Sequence, residues 1–125
     1  MLVTVTPPMQ RSPHVLAVDD DELVLSALAR VLRHAGYAVT SASGVAQAVA
    51  ALEGRRFDVV VTDLCMPGGG AAEVVRAVAG ACPVVVVTGL DVELDQVAGE
   101  AFALLHKPFR CGELLEVLKR ALASG

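Results

Sequence analysis

The chain has 125 residues and a mass of 12.9 kDa, enough for one domain with one buried core and too little for a two-domain enzyme. Apolar residues make up 54% of the sequence and charged residues 19%, a composition that excludes a disordered tail. A net charge of −4 argues against non-specific DNA binding, and one Tyr, three Phe and no Trp argue against base stacking. We therefore expect a globular protein that does not bind nucleic acid directly.

No segment predicts export or membrane insertion. Residues 1–13 contain Pro7, Pro8 and Pro13 and lack the apolar stretch of about 7–15 residues found in a signal peptide, so we expect a loose N-terminal arm. Mean hydropathy is +0.60, yet no apolar run approaches the roughly 18 residues of a membrane span. The three cysteines suggest neither a disulfide framework nor a zinc site, which fits a reducing compartment. We expect a cytoplasmic protein without a membrane partner.

Five apolar runs alternate with segments of helical period along the chain. The predicted strands are residues 14–18, 37–42, 57–62, 84–88 and 102–106, and the predicted helices lie at about 24–35, 45–54, 71–79, 91–98 and 114–122. Strands that are apolar on both pleat faces need cover on both sides. Strands that alternate with crossover helices form a parallel sheet. The sequence therefore predicts an α/β fold with helices on both faces of a parallel sheet.

Polar residues follow the carboxyl ends of four predicted strands, where open α/β sheets place their active crevice. Asp19 and Asp20 follow the first strand, Asp63 the third and Lys107 the fifth, while Thr88 closes the fourth. Three acids brought together repel one another unless one is protonated or a cation neutralises them, and Mg²⁺ with oxygen ligands suits such a site. A carboxylate can also act as a nucleophile toward phosphorus, with a cation, an ammonium group and a hydroxyl stabilising the phosphoryl oxygens. These residues predict a phosphoryl-transfer site.

Four motifs carry a resemblance to a known family. They are V-L-A-V-D-D-D-E at 15–22, F-D-V-V-V-T-D-L-C-M-P at 57–67, V-V-V-V-T-G at 84–89 and H-K-P-F at 106–109. In this order they resemble the receiver domain of bacterial two-component response regulators, of the single-domain, chemotaxis-regulator type. The resemblance implies a receiver domain over residues 14–125. It also implies a flavodoxin-like, doubly wound, five-stranded parallel sheet of order 2-1-3-4-5 with five helices.

The resemblance also assigns roles in phosphorylation. Asp63 would be the phosphoacceptor, and Asp19 and Asp20 the acidic pair that binds Mg²⁺ together with Asp63. The backbone carbonyl of Cys65 would be a further metal ligand. The phosphoryl donor would be a sensor histidine kinase or a histidine phosphotransfer protein, and the chain would catalyse only its own phosphorylation and dephosphorylation. The downstream target is not identified by the sequence.

A second set of roles concerns the conformational switch. Thr88 would close on the phosphoryl group, and Lys107 would pair with it, with a cis peptide bond before Pro108. Family members usually carry an aromatic residue three positions before the lysine, where this chain has Leu104. We therefore expect phosphorylation chemistry to be retained and the readout through Leu104 to be weaker. The interval from Thr88 to Lys107 also predicts a shortened fourth helix.

Several interpretations stay open at this point. The chain could be a stand-alone receiver, a phosphorelay shuttle, or a receiver cut from a longer regulator or hybrid kinase. Other classes are an aspartate-nucleophile phosphatase that uses Asp19, and a degenerate receiver that acts only as a protein-binding module. Asp21 or Glu22 is expected to cap the first helix, and residues 68–70, three glycines, are expected to form a flexible loop beside the site.

Overall fold

Five long strands form one parallel sheet in the computed structural model, which describes residues 12–66, 69–89 and 101–124. The strands are β1 (His14–Val18), β2 (Ala38–Ala42), β3 (Val59–Asp63), β4 (Cys65–Met66), β5 (Gly69–Gly70), β6 (Val84–Thr88) and β7 (Ala103–His106). The helices are α1 (Glu22–His34), α2 (Val45–Gly54), α3 (Ala71–Val78) and α4 (Cys111–Ser124). The sheet order β2-β1-β3-β6-β7 confirms the predicted order of the five long strands.

Four of the five predicted helices are among these elements. The remaining one, predicted at 91–98, lies outside the described residues, as does the shortening expected there. Most of the predicted N-terminal arm, residues 1–11, also lies outside them. In the part of the chain that the structure describes, no helix is long and apolar enough to cross a membrane.

The sheet is covered on both faces because its central strands are apolar on both sides. Leu16, Val60 and Val86 belong to a buried cluster with residues of α2 and α3. Val59 and Val85 belong to a second buried cluster with residues of α1 and α4. The pleat therefore sends alternate valines into two cores, which explains why the continuous Val-rich runs predicted a sheet between two helical layers.

Asp21, the third of the four consecutive acids at 19–22, caps the first helix, α1. The side chain of Asp21 accepts hydrogen bonds from the backbone N–H groups of Leu23, at 3.0 Å, and Val24, at 3.3 Å. Of the two predicted caps, Asp21 is therefore the one that satisfies the first free donors of α1. The helix ends before Gly36, whose φ of +102° lies in a region that favours glycine. The Asp21 cap and Gly36 therefore mark the start and the end of α1, the helix that follows the predicted acid pair.

The glycine segment after β3 differs from its prediction. Gly69 and Gly70 form β5, which pairs antiparallel with β4 in the register Met66↔Gly69 and Cys65↔Gly70. The expectation of a flexible loop is wrong for these two residues, because their backbone is paired in a short ribbon. Position 68 lies outside the described residues.

Candidate functional site

The carboxyl ends of the parallel strands bring three of the predicted acids together. Asp19 follows β1 directly, Asp20 comes next in the chain, and Asp63 is the last residue of β3. Each offers a carboxylate oxygen, and the three oxygens lie within 4.8 Å of one another. Since β1 and β3 are hydrogen-bonded neighbours, the proximity follows from the strand order. Asp19 and Asp63 are therefore close in space although they lie far apart in the sequence.

Asp19 is the most enclosed member of the cluster, with 5% of its surface exposed. Its backbone N–H donates to the carbonyl of Ala42 at 3.1 Å, which extends the β1–β2 pairing by one residue. Its Oδ1 accepts a hydrogen bond from the backbone N–H of Asp21 at 2.9 Å. Asp19 is thus held by backbone groups on two sides, whereas the neighbouring Asp20 is exposed.

Asp63 is half-buried and faces both positive and negative charge. Its Oδ1 accepts a hydrogen bond from the backbone N–H of Leu64 at 3.0 Å and lies 3.7 Å from Lys107 Nζ. Burial raises the pKa of Asp63 above its ordinary value of 3.8, and the Lys107 ammonium opposes this while Asp19 adds to it. The carboxylate therefore sits in a site that favours either a proton or a further cation.

Lys107 lies close to both Asp19 and Asp63. Its Nζ lies 3.8 Å from Asp19 Oδ2 as well as 3.7 Å from Asp63 Oδ1. Its backbone N–H donates to the carbonyl of Thr88 at 2.7 Å, and Thr88 is paired with His106 in the β6–β7 register. The edge strand thereby places the ammonium over the end of the sheet. The Lys107–Pro108 peptide bond is cis, which confirms that prediction.

The structure places the other predicted site residues as follows. Thr88 is the last residue of β6 and is 2% exposed. Cys65 lies in β4, two residues after Asp63, with an exposed side chain. Leu104 is partly buried in β7 and packs against the core cluster on the α2 and α3 side of the sheet. Leu104 therefore belongs to the opposite face from α1 and α4.

An apolar cleft that the sequence analysis missed opens beside the acids. It has a volume of about 260 Å³ and lies between α1 and α4, and its lining includes Val24, Leu28, Phe109, Leu114 and Asp63. The Asp63 carboxylate thus borders an apolar wall as well as charged groups, and burial is the main cause of its raised pKa. The apolar faces of the first and last predicted helices were the available signal, but only their packing shows that a gap remains.

Comparison with known proteins identifies the family. The sequence profile of the response regulator receiver domain matches residues 15–119. The chain belongs to this family. Its match to the transcriptional regulatory protein PrrA of Mycobacterium bovis is 39% identical over 117 residues and covers 89% of this chain and 50% of PrrA. Receiver domains are the phosphorylated modules of two-component signal transduction, so this identification agrees with the chemistry of the acid cluster.

Solved structures give the same fold. A CheY-like receiver domain of Methanospirillum hungatei superposes with a TM-score of 0.84 at 26% identity, covering 90% of this chain and 95% of that one. The receiver domain of the sensor histidine kinase PA1611 of Pseudomonas aeruginosa, with magnesium coordinated in its active-site cleft, gives a TM-score of 0.80 at 25% identity, covering 90% and 98%. By contrast, the chain spans about half the length of the PrrA proteins.

Proposed function

We propose that this receiver domain accepts a phosphoryl group on Asp63 from a phosphohistidine of a sensor kinase or a phosphotransfer protein, and that it signals by a change of conformation. The observation that carries the proposal is the set of three carboxylate oxygens within 4.8 Å of one another, with Lys107 Nζ 3.7 Å from Asp63. Of the two acids beside Lys107, Asp63 has the more exposed side chain, 17% against 7% for Asp19. It is therefore the carboxylate best able to meet an incoming phosphorus atom.

The donor set fits a hard divalent cation. Carboxylate oxygens that repel one another, close enough to share one ion, match the coordination that Mg²⁺ adopts with one or two carboxylates and several waters. Asp19, Asp20 and Asp63 would hold the ion, with the backbone carbonyl of Cys65 as a further ligand. When bound, Mg²⁺ would neutralise charge that develops on the phosphoryl oxygens. The magnesium held by the PA1611 receiver supports this assignment.

The chain's own residues account for the rest of the transfer. A carboxylate oxygen of Asp63 forms a bond to phosphorus as the bond from phosphorus to the donor imidazole nitrogen breaks, and the electron pair returns to that nitrogen. The Lys107 ammonium stabilises negative charge on the phosphoryl oxygens. The Thr88 hydroxyl, at the end of the adjacent strand, closes on the same group. The chain thereby catalyses only its own phosphorylation and dephosphorylation, and we place this activity in the cytoplasm.

An alternative function, a phosphatase with Asp19 as nucleophile, has less support. Both oxygens of Asp19 already have neighbours, since Oδ1 accepts from Asp21 N–H at 2.9 Å and Oδ2 lies 3.8 Å from Lys107 Nζ. Asp19 is also the more deeply buried of the two carboxylates, with 7% of its side chain exposed against 17% for Asp63. An in-line approach of phosphorus is therefore easier at Asp63.

The proposal is tested by incubation with Mg²⁺ and a panel of phosphorylated histidine kinases, with acetyl phosphate as a small donor. Intact-mass spectrometry measures the label, which is the added mass of one phosphoryl group. It is measured on the unaltered chain and on the Asp63→Asn, Asp19→Asn and Asp58→Asn variants. We expect label on the unaltered chain and on Asp58→Asn, whose acid precedes β3 at the other end of the sheet. Label that persists in Asp63→Asn and disappears in Asp19→Asn would instead identify the phosphatase-like nucleophile. No label under any condition would favour a protein-binding module.

A further inference from the structure

The backbone of Leu64 forms hydrogen bonds that fix the position of Asp63, the proposed phosphoacceptor. The Leu64 N–H lies 3.0 Å from Asp63 Oδ1 and 2.9 Å from the carbonyl oxygen of Val87, so it ties the acid to the neighbouring strand. On its other side, the Leu64 carbonyl accepts a hydrogen bond from Ala71 N–H at 3.0 Å. The residue between Asp63 and Cys65 is therefore fixed at both of its peptide groups.

Gly70 packs directly against that carbonyl. A Cβ atom added at Gly70 would lie 2.5 Å from the carbonyl oxygen of Leu64, a distance at which one of the two must move. The φ of Gly70 is −162°, an extended conformation that any residue adopts, so the requirement for glycine comes from space and not from backbone conformation. The atom in the way belongs to the backbone that carries the site, and it cannot yield by a change of rotamer.

Glu73 fastens Gly70 in this position. Its Oε1 accepts a hydrogen bond from Gly70 N–H at 2.9 Å, and its Oε2 lies 3.5 Å from Arg76 Nη2. The hydrogen bonds to backbone N–H groups lower the pKa of Glu73, so it is ionised at neutral pH and remains an acceptor. Together, Glu73 and the β4–β5 pairing hold Gly69 and Gly70 against Leu64 and Cys65.

We propose that Gly70 and Glu73 are positioning residues for the metal and phosphoryl site, acting through the Leu64–Cys65 backbone. This inference rests on the proposed function, because Gly70 and Glu73 would act by orienting the Asp63 carboxylate and the Cys65 carbonyl toward Mg²⁺. A side chain at position 70 displaces the Leu64 carbonyl and with it the two flanking ligands. Groups that orient metal ligands from behind typically change metal affinity by about 10- to 100-fold when altered.

The test compares Mg²⁺ affinity with stability in variants of the full chain. We expect Gly70→Ala to weaken Mg²⁺ binding by roughly tenfold or more, measured by calorimetric titration. Gly80→Ala is the matched control for lost stability: Gly80 has a φ of +78° and no heavy atom within 4 Å of an added Cβ, so this change strains the backbone away from the site. Gly44→Ala, with open space and no positive φ, controls for the substitution itself. Both controls should keep the Mg²⁺ affinity of the unaltered chain.

Glu73 gives a second pair of variants, which do not depend on the folding of Gly70→Ala. Glu73→Ala removes the acceptor for Gly70 N–H and should weaken Mg²⁺ binding, while Glu73→Gln keeps an acceptor oxygen and should restore most of it. A Mg²⁺ affinity in Gly70→Ala and Glu73→Ala equal to that of the unaltered chain would overturn the positioning role. Failure of the unaltered chain itself to bind Mg²⁺ would overturn the proposed function instead, and this distinguishes the two.

Discussion

Replacing Asp63 with Asn should stabilise the metal-free protein at neutral pH. The change removes the charge but keeps the shape, and an Asn Oδ1 can still accept the hydrogen bond that Leu64 N–H gives at 3.0 Å. What disappears is an ionised carboxylate that is 17% exposed, with apolar side chains of the cleft on one side. Most substitutions destabilise a protein, so a stabilising effect here would show that the ionised Asp63 is held at a cost in stability.

The magnitude follows from the distances around the carboxylate. With the dielectric constant of water, used here because Lys107 is partly exposed, repulsion from Asp19, whose carboxylate oxygen lies within 4.8 Å, is about 0.9 kcal/mol or more, and attraction to Lys107 at 3.7 Å is about 1.1 kcal/mol. The two nearly cancel, so the cost of desolvating the charge decides the sign. We expect Asp63→Asn to raise the free energy of unfolding by about 1 kcal/mol and the Tm by about 4 °C.

The pH dependence has a definite sign. Because the pKa of Asp63 is raised on folding, the folded chain binds this proton more tightly than the unfolded chain does. The stability that the bound proton contributes is fully present below the ordinary value of 3.8 and is lost as pH rises through the raised folded-state value. The advantage of Asn over Asp should therefore be largest at neutral pH and vanish in acid.

Thermal unfolding in EDTA at several pH values, followed by circular dichroism, measures this difference. Added Mg²⁺ should reverse the order: at a hundred times its dissociation constant, a ligand stabilises the folded state by about 2.7 kcal/mol, and Asp63→Asn should gain far less of this. Asp58→Asn controls for loss of an acid outside the cluster. A Tm for Asp63→Asn below that of the unaltered chain at neutral pH, in EDTA, would refute the reasoning about desolvation.

Three further predictions concern the charge, the cap and the core. Lys107→Met should slow phosphorylation of Asp63 roughly a hundredfold while leaving Mg²⁺ binding intact, as shown by intact-mass time courses and calorimetry; equal rates would contradict a role for the ammonium. Asp21→Ala should lower the free energy of unfolding by about 1 kcal/mol through loss of the α1 cap, measured in urea. Leu118→Ala, at a fully buried position of α4, should cost about 2–5 kcal/mol in the same assay.

The fold could be predicted from the sequence because one physical pattern repeats. Each Val-rich run is apolar on both pleat faces, and this pattern specifies a strand covered on two sides almost regardless of its neighbours. The apolar pattern does not fix the boundaries: β3 ends at Asp63, one residue later than predicted, and α1 begins at Glu22, two residues before the first apolar residue of its helical pattern. In the second case the Asp21 cap, and not the first apolar residue, sets where the helix starts.

The candidate site was predictable for the residues that end strands and not for those that support them. Asp19 and Asp63 could be placed together because adjacent parallel strands end at the same edge. The contact between Gly70 and the Leu64 carbonyl could not be inferred, because it depends on how a ribbon of four residues folds back over the end of β3. The cleft between α1 and α4 was equally inaccessible, since it reflects how closely two helices pack and not which residues face inward.

The shortage of positive charge beside Asp19 and Asp63 also bears on how a phosphoryl group could act as a signal. The buried Asp19 and the half-buried Asp63 share one ammonium, at 3.8 and 3.7 Å, so their pocket is short of positive charge until a cation enters. A phosphoryl group can shift the conformational equilibrium only by interacting differently with the two conformers. We propose that the buried Thr88 forms one end of that interaction and that Leu104 of β7, which packs on the α2 and α3 side of the sheet, forms the other. The side chain of Leu104 is smaller than an aromatic ring, so it makes fewer contacts that a change of conformation can break and form. We therefore expect phosphorylation chemistry to be retained and the conformational readout to be weaker.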